Sequence, residues 1–140
     1  MNKHSLEIIE LEMAVLVRHL KSVTSNIGKL DRSAYLLLHK LFAEGPLGVK
    51  TLANKLQLDI STVSRQTSAL EQKGYVEKIP DPQDGRSYFY RITDLGTLEW
   101  SKYKEARLDK LTKLLHEWSD EECENFGQLL KKFNHTFIGN

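Results

Sequence analysis

Hydroxyl, amide and arginine side chains recur at helical spacing in the middle of the chain and form its most specific chemical pattern. The residues on this face are Ser61, Thr62, Arg65, Gln66 and Ala69. Small hydroxyl side chains let a backbone approach its partner closely, and arginine and glutamine can make paired hydrogen bonds to base edges. The pattern therefore predicts contact with the major groove of DNA, and a solvated helix face is the plain alternative.

Other kinds of site lack the residues that they need. The histidines are dispersed without the spacing of metal ligands, at His4, His19, His39, His116 and His135. Cys123 lies among acidic residues, which disfavour the thiolate that a redox switch requires. The sequence also lacks a Ser/His/Asp group, paired catalytic carboxylates and a glycine-rich phosphate loop. We therefore expect no enzyme, no cofactor and no metal site.

Two short predicted helices position the polar face. The first spans about Val49 to Leu56, and after a three-residue turn the second spans about Ile60 to Lys73. Asp59 is the expected N-cap of the second helix and Gly74 its C-terminal stop. Ala53 is small enough to let the two helices cross closely. The apolar residues spaced to close a core beneath them are Leu52, Leu56, Leu58, Ile60, Val63 and Leu70.

A β-hairpin is predicted immediately after these helices. Residues 75–79 and 87–92 are rich in β-branched and aromatic side chains, and residues 81–86 between them have the composition of a turn. The hairpin carries a charged tip. Helix, turn, helix and hairpin in this order are the elements of a winged helix-turn-helix.

Longer helices flank this unit on both sides. The pattern predicts a first helix from Leu6 to about Ile27, a second capped by Asp31, a long helix opened by Thr93 that runs through Trp118, and a last helix. The first has an apolar stripe at Ile9, Met13, Leu16, Leu20, Val23 and Ile27, and the last has one at Phe126, Leu129, Leu130, Phe133 and Phe137. Stripes this broad need a large partner surface, which a second copy of the chain can supply.

The composition sets the remaining bounds. With 140 residues, 40% of them hydrophobic, the chain can bury one continuous core, so we expect one domain. A net charge of +1 excludes a polybasic tail, although residues 47–93 hold seven basic and five acidic side chains. The sequence shows neither a signal peptide nor an apolar stretch long enough to span a membrane, so we expect a cytoplasmic protein.

A larger motif ties these elements together and carries a family resemblance. Leu-Glu-Gln-Lys-Gly-Tyr-Val at residues 70–76 precedes Asp-Pro-Gln-Asp-Gly-Arg-Ser at residues 81–87 and Arg-Ile-Thr-Asp-Leu-Gly at residues 91–96. In this motif and over nearly its whole length, the sequence resembles the multiple antibiotic resistance regulator (MarR) family of bacterial winged-helix transcription factors.

The resemblance implies a mostly α fold with six helices and a small β-hairpin wing, assembled as an intertwined homodimer. It divides the single domain of residues 1–140 into a DNA-binding lobe at 31–93 and a helical dimerisation region at 1–30 plus 94–140. By position, the DNA-binding residues it implies are Ser61, Thr62, Ser64, Arg65 and Gln66 on the recognition helix and Asp84 and Arg86 on the wing. Asp84 would pin the wing turn, and Arg86 would enter the minor groove.

The implied function is a ligand-responsive repressor that binds a pseudo-palindromic operator in double-stranded DNA. Its effector would be a small anionic or aromatic molecule bound between the dimer helices and the winged lobe. Gln66 and Thr67 stand where relatives commonly have apolar residues, so whether Gln66 faces DNA or the core stays open. A winged-helix module that binds proteins and not DNA is the alternative function.

Overall fold

The computed structural model describes residues 1–24 and 30–137, and this part of the chain contains six helices and one hairpin. The elements are α1 (Lys3–Thr24), α2 (Arg32–Glu44), α3 (Val49–Leu56), α4 (Ile60–Gln72), β1 (Val76–Pro80), β2 (Tyr88–Ile92), α5 (Asp94–Leu114) and α6 (Asp120–His135). The predicted mostly α winged helix-turn-helix is thereby confirmed. The predicted end of the first helix at Ile27 lies outside the described residues.

Side-chain caps set where most of the helices begin. The capping residues are Asp31 on α2, Asp59 on α4, Thr93 on α5 and Ser119 on α6. On α6, the Glu122 amide donates to the Ser119 hydroxyl at 3.1 Å, and the Ser119 amide donates to the Glu122 carboxylate at 2.9 Å. This reciprocal capping box satisfies two amides that the first turn of a helix otherwise leaves without partners.

The wing is an antiparallel hairpin attached to the helices on both sides. In its register, Val76 lies opposite Ile92 and Pro80 lies opposite Tyr88. The two strands begin at Val76 and Tyr88, each one residue later than the sequence predicts. Leu47, in the segment between α2 and α3, pairs with the middle of β2. Its amide donates to the Tyr90 carbonyl at 3.1 Å, and the Tyr90 amide donates to its carbonyl at 2.9 Å.

The core lies among α2, α3, α4, the hairpin and the first half of α5. Its buried side chains include Leu37, Leu38, Leu41, Leu52, Ala53, Val63, Leu70, Val76, Tyr90 and Tyr103. The prediction that Leu58 and Ile60 belong to this core is wrong, since they are 41% and 51% exposed. Leu58 lies in the turn between α3 and α4, and Ile60 is the first residue of α4. Fewer neighbours cover them there than cover Val63 and Leu70 further along α4.

Two predicted helix bounds also need correction. The first helix begins at Lys3 and not at Leu6. The long helix α5 ends at Leu114, so Trp118 lies beyond it and packs its ring against Phe126 of α6, with 5.5 Å between the ring centroids.

Two described helices leave their apolar residues uncovered. Side chains of α1 up to His19 are exposed, and α6 has no buried residue. The exposed apolar residues of these helices include Ile9, Met13, Leu16, Phe126, Leu129 and Phe133. None of the described helices combines the length and the apolar character needed to cross a membrane.

Gly96 lets the start of α5 pack directly on the backbone that precedes the wing. The Thr93 amide donates to the Tyr75 carbonyl at 3.0 Å, which brings the first turn of α5 against that carbonyl. A Cβ atom added at Gly96 would lie 2.1 Å from the Tyr75 oxygen. The contact therefore requires glycine for a steric reason, although Gly96 lies in a helix, where glycine is otherwise unfavourable.

We predict that Gly96→Ala destabilises the protein by roughly 1–3 kcal/mol or more, because backbone atoms must move to admit the methyl group. Gly127→Ala on α6 is the matched control. Apart from its chain neighbours and the backbone of its own helix, no described atom lies within 4 Å of a Cβ placed at Gly127. The control should stabilise the protein by roughly 0.5–1 kcal/mol through helix propensity. Urea unfolding of both variants measures the difference, and equal stabilities would contradict the packing described here.

Candidate nucleic-acid interface

The turn between α3 and α4 orients the second helix. Gln57, the first turn residue, has left-handed backbone angles with φ 56°, and the Leu58 amide donates to the Ala53 carbonyl at 3.0 Å. Asp59 then caps α4 by accepting from the Thr62 amide at 2.9 Å. Hydrogen bonds from the side chain and backbone of Thr62 hold the pKa of Asp59 below its ordinary value. The cap is therefore a carboxylate at neutral pH, which suits the positive end of the helix dipole.

The face of α4 that points away from the core carries most of the predicted DNA-binding residues. Ser61, Ser64, Arg65 and Ala69 are exposed, and Thr62 is half-buried. The Arg65 guanidinium donates to the Thr62 hydroxyl at 3.3 Å. Arg65 is therefore oriented along the exposed face by its neighbour one turn earlier.

Gln66 lies at the border between this face and the core. It is half-buried, and its Oε1 atom is buried without a hydrogen-bond partner among the described residues. It lines a crevice of about 80 Å³ between α2 and α4, together with Ala34 and Lys73. Thr67 is fully buried, and its hydroxyl donates to the Val63 carbonyl at 2.9 Å.

Two aspartates shape the tip of the wing. Asp81 accepts from the Gln83 amide at 2.8 Å, and the Ser87 hydroxyl donates to it at 3.2 Å. Asp84 accepts from the amide of Arg86 at 3.1 Å and from its Nε atom at 3.3 Å. The Arg86 side chain is nonetheless 94% exposed. The wing thus presents one outward-pointing guanidinium on a turn that hydrogen bonds hold in shape.

Sequence reasoning did not identify Lys78 as part of this surface. Its ammonium lies 3.8 Å from the Glu71 carboxylate at the end of α4 and 4.6 Å from the centroid of the Tyr88 ring on β2. Lys78 therefore connects the wing to α4. The signal for it was weak, because an exposed lysine in a strand has no distinctive spacing.

The lysines of α3 and of the end of α4 divide into paired and unpaired groups. Lys55 lies 2.8 Å from Glu44, and its hydrogen bond is the largest effect that lowers the pKa of that carboxyl. Lys50, in the first turn of α3, and Lys73, at the end of α4, have no carboxylate within 4 Å among the described residues. Among the described residues, these two ammonium groups therefore keep a positive charge that no ion pair offsets.

The described residues do not bring three histidine, cysteine or acidic side chains together as metal ligands. They instead form a polar helix face with Arg65 and, packed against that helix, a hairpin with the exposed Arg86 at its tip. This combination of fold and surface defines a winged helix-turn-helix DNA-binding protein.

Comparison with known proteins identifies the family. The MarR family profile matches residues 30–88. An uncharacterised HTH-type transcriptional regulator of Bacillus subtilis (strain 168), YxaD, is 41% identical over 140 residues, which cover 98% of each chain. The chain belongs to the MarR family and is a transcription regulator with a helix-turn-helix for DNA binding.

Solved structures show the same fold. A MarR family protein from Bacillus stearothermophilus aligns with a TM-score of 0.82 at 25% identity, over 98% of both chains. The PcaV regulator from Streptomyces coelicolor, solved in complex with its natural ligand, aligns with a TM-score of 0.64 at 25% identity, over 91% of this chain and 89% of its own.

Proposed function

We propose that this protein is a homodimeric, cytoplasmic repressor that binds a pseudo-palindromic operator and releases it when a small effector binds. The exposed polar face of α4, with Arg65 held by Thr62, carries the proposal. In a two-fold dimer, two copies of this helix would enter successive major grooves, about one helical turn apart. The wing guanidinium of Arg86 would reach the adjacent minor groove.

The surface chemistry favours DNA over the alternative protein partner. An interaction module commonly presents apolar or aromatic anchors that fill pockets on its partner. The outer face of α4 instead presents hydroxyls and an arginine, and the wing tip presents a second arginine. The same surface has no arrangement of nucleophile and base, so we propose action by binding and not by catalysis.

A second copy of the chain is the proposed cover for α1 and α6. Leu129 on α6 is 63% exposed, and Phe137, just after the end of α6, is 60% exposed. Exposed apolar patches this extensive are typical of protein interfaces. The observation supports an obligate dimer with more than about 2,000 Å² of buried surface.

An aromatic cluster between α2 and α5 is the proposed effector site. The Trp100 ring stacks on Phe42 at 4.3 Å between centroids and on His39 at 5.9 Å. Trp100 is 6% exposed, and its indole N–H has no hydrogen-bond partner among the described residues. An unpaired buried donor is costly, and an anionic or carbonyl oxygen would satisfy it.

Two cationic side chains lie over the rings of this aromatic cluster. The Arg107 guanidinium lies 5.7 Å from the Tyr35 ring centroid and 5.6 Å from that of Tyr103, and Lys104 lies 5.2 Å from the Trp100 centroid. Aromatic faces and cations together favour an aromatic carboxylate. Because α2 belongs to the winged lobe and α5 continues away from it, a ligand between them would change the angle of the recognition helix.

We predict that Arg65→Ala weakens operator binding by about 1–3 kcal/mol per half-site, because it removes paired hydrogen bonds to a base edge. Binding to a scrambled duplex should change much less. Titrations of both duplexes at fixed salt provide the measurement. Equal losses on the two duplexes would mean that Arg65 contacts phosphate and does not read sequence.

Arg86→Ala should affect DNA binding in a different way from Arg65→Ala. The narrow minor groove attracts arginine through its negative potential and offers little sequence information. We therefore expect weaker binding to operator and scrambled DNA alike, and a salt slope smaller by roughly one unit of log K per log salt for each arginine lost. Titrations over several salt concentrations test this, and an unchanged slope would remove Arg86 from the interface.

We predict that Leu129→Glu dissociates the dimer, because it places a charge on the apolar face of α6. Gln128→Glu adds the same charge to the polar face of the same helix and should leave the dimer intact. Sedimentation equilibrium at micromolar concentration distinguishes the two results. A monomeric unmodified protein would overturn the proposed assembly.

The two tryptophans provide an internal test of the effector site. We predict that a panel of aromatic carboxylates contains compounds that quench the fluorescence of the Trp118→Phe variant, in which Trp100 is retained. The same compounds should leave the fluorescence of the Trp100→Phe variant unchanged. Its remaining tryptophan, Trp118, packs against Phe126 on α6 and is not part of the aromatic cluster. Quenching confined to Trp118 would place the ligand elsewhere.

A further inference from the structure

The backbone just after the end of α6 reaches the turn of the helix-turn-helix within the same chain. The Gln57 side-chain amide donates a hydrogen bond to the Phe137 carbonyl at 3.1 Å, although eighty positions separate the two residues. Gln57 is also the left-handed residue at which α3 ends. The contact therefore acts on the point where the backbone changes direction towards α4.

Polar contacts continue from this turn to the arginine on the exposed face. Two residues after Gln57, Asp59 accepts from the Thr62 amide at 2.9 Å. The Thr62 hydroxyl in turn accepts from Arg65 at 3.3 Å. A displacement of the turn would move the cap, and with it the first turn of α4 and Arg65.

Core packing does not hold α6 against its own lobe. None of its residues is buried, and the rings of Phe133 and Phe137 are 42% and 60% exposed. The position of the Phe137 carbonyl therefore depends on the surface that covers the apolar face of α6. The proposed dimer would set that position.

We propose that Gln57 is a positioning residue for DNA recognition, which couples the position of α6 to the start of the recognition helix. This inference rests on the function proposed above. Gln57 acts through the turn and need not touch DNA. A single neutral hydrogen bond changes an equilibrium by roughly twofold to tenfold, and this sets the size of the effect to expect in each protomer.

Gln57→Asn is the most informative variant. Asparagine tolerates left-handed backbone angles and keeps the amide, but it is one methylene group too short to reach Phe137. Ending the chain after Thr136 removes the same hydrogen bond from the other side. Ending the chain after Ile138 is the matched control, because it also shortens the chain but keeps the Phe137 carbonyl and ring.

The experiment uses the full-length dimer and two readouts. One is the dissociation constant for a duplex selected by the unmodified protein from random DNA, compared with a scrambled duplex. The other is hydrogen exchange of the Thr62 and Val63 amides in the absence of DNA. Asp59 accepts from both amides, through its side chain and its carbonyl respectively.

We expect Gln57→Asn and the shortened chain each to weaken binding to the selected duplex by roughly twofold to tenfold and to accelerate exchange of these amides. Combining them should add no further loss, because both remove one hydrogen bond. The chain ended after Ile138 should leave both readouts nearly unchanged. Additive losses, or equal losses on the scrambled duplex, would overturn the coupling and indicate a direct contact of Gln57 with phosphate.

The exchange measurement separates this inference from the proposed function. If the unmodified protein selects no DNA, the proposed function fails, and amide exchange still reports whether Gln57 steadies the start of α4. If DNA is selected but neither variant changes exchange or affinity, only the coupling through Gln57 is wrong.

Discussion

Tyr90 is the residue on which the arrangement of the DNA-binding lobe depends. Its side chain is 2% exposed at the centre of β2, and its backbone pairs in both directions with Leu47 between α2 and α3. Burial raises the pKa of Tyr90, and an interaction with the Thr67 hydroxyl on α4 opposes that rise. Tyr90 therefore links the hairpin to the segment before α3, and it lies in the same buried core as Val63 and Leu70 of α4.

This connection matters because DNA binding needs two elements in a fixed relation. A recognition helix in the major groove and a wing in the minor groove can engage together only if their separation matches the duplex. The buried contacts of Tyr90 set that relation from inside the lobe, and Lys78 supports it at the surface through Glu71 and the Tyr88 ring. The exposed guanidinium groups of Arg65 and Arg86 can then face the partner, since rigidity comes from residues that do not face it.

Local chemistry made much of the fold predictable. A capping side chain, a glycine stop and apolar spacing act within a few residues, so Asp31, Asp59 and Ser119 marked helix starts that the structure confirms. The hairpin was predictable for the same reason, with an error of one residue in each strand. The likeness to the MarR family, carried by the wing motif, supplied the positions of Asp84 and Arg86 on the wing tip.

Burial was less predictable, because it depends on which distant element covers a side chain. Leu58 and Ile60 have the spacing of core residues and are nevertheless exposed at the end of a helix pair, and Gln66 is polar and half-buried beside α2. The contact between Gln57 and Phe137 joins positions with no local relation. The sequence by itself determined the order, type and caps of the elements, since these follow from short-range forces. Only the tertiary structure decided which faces are covered and which polar groups meet, because packing brings together residues far apart in the chain.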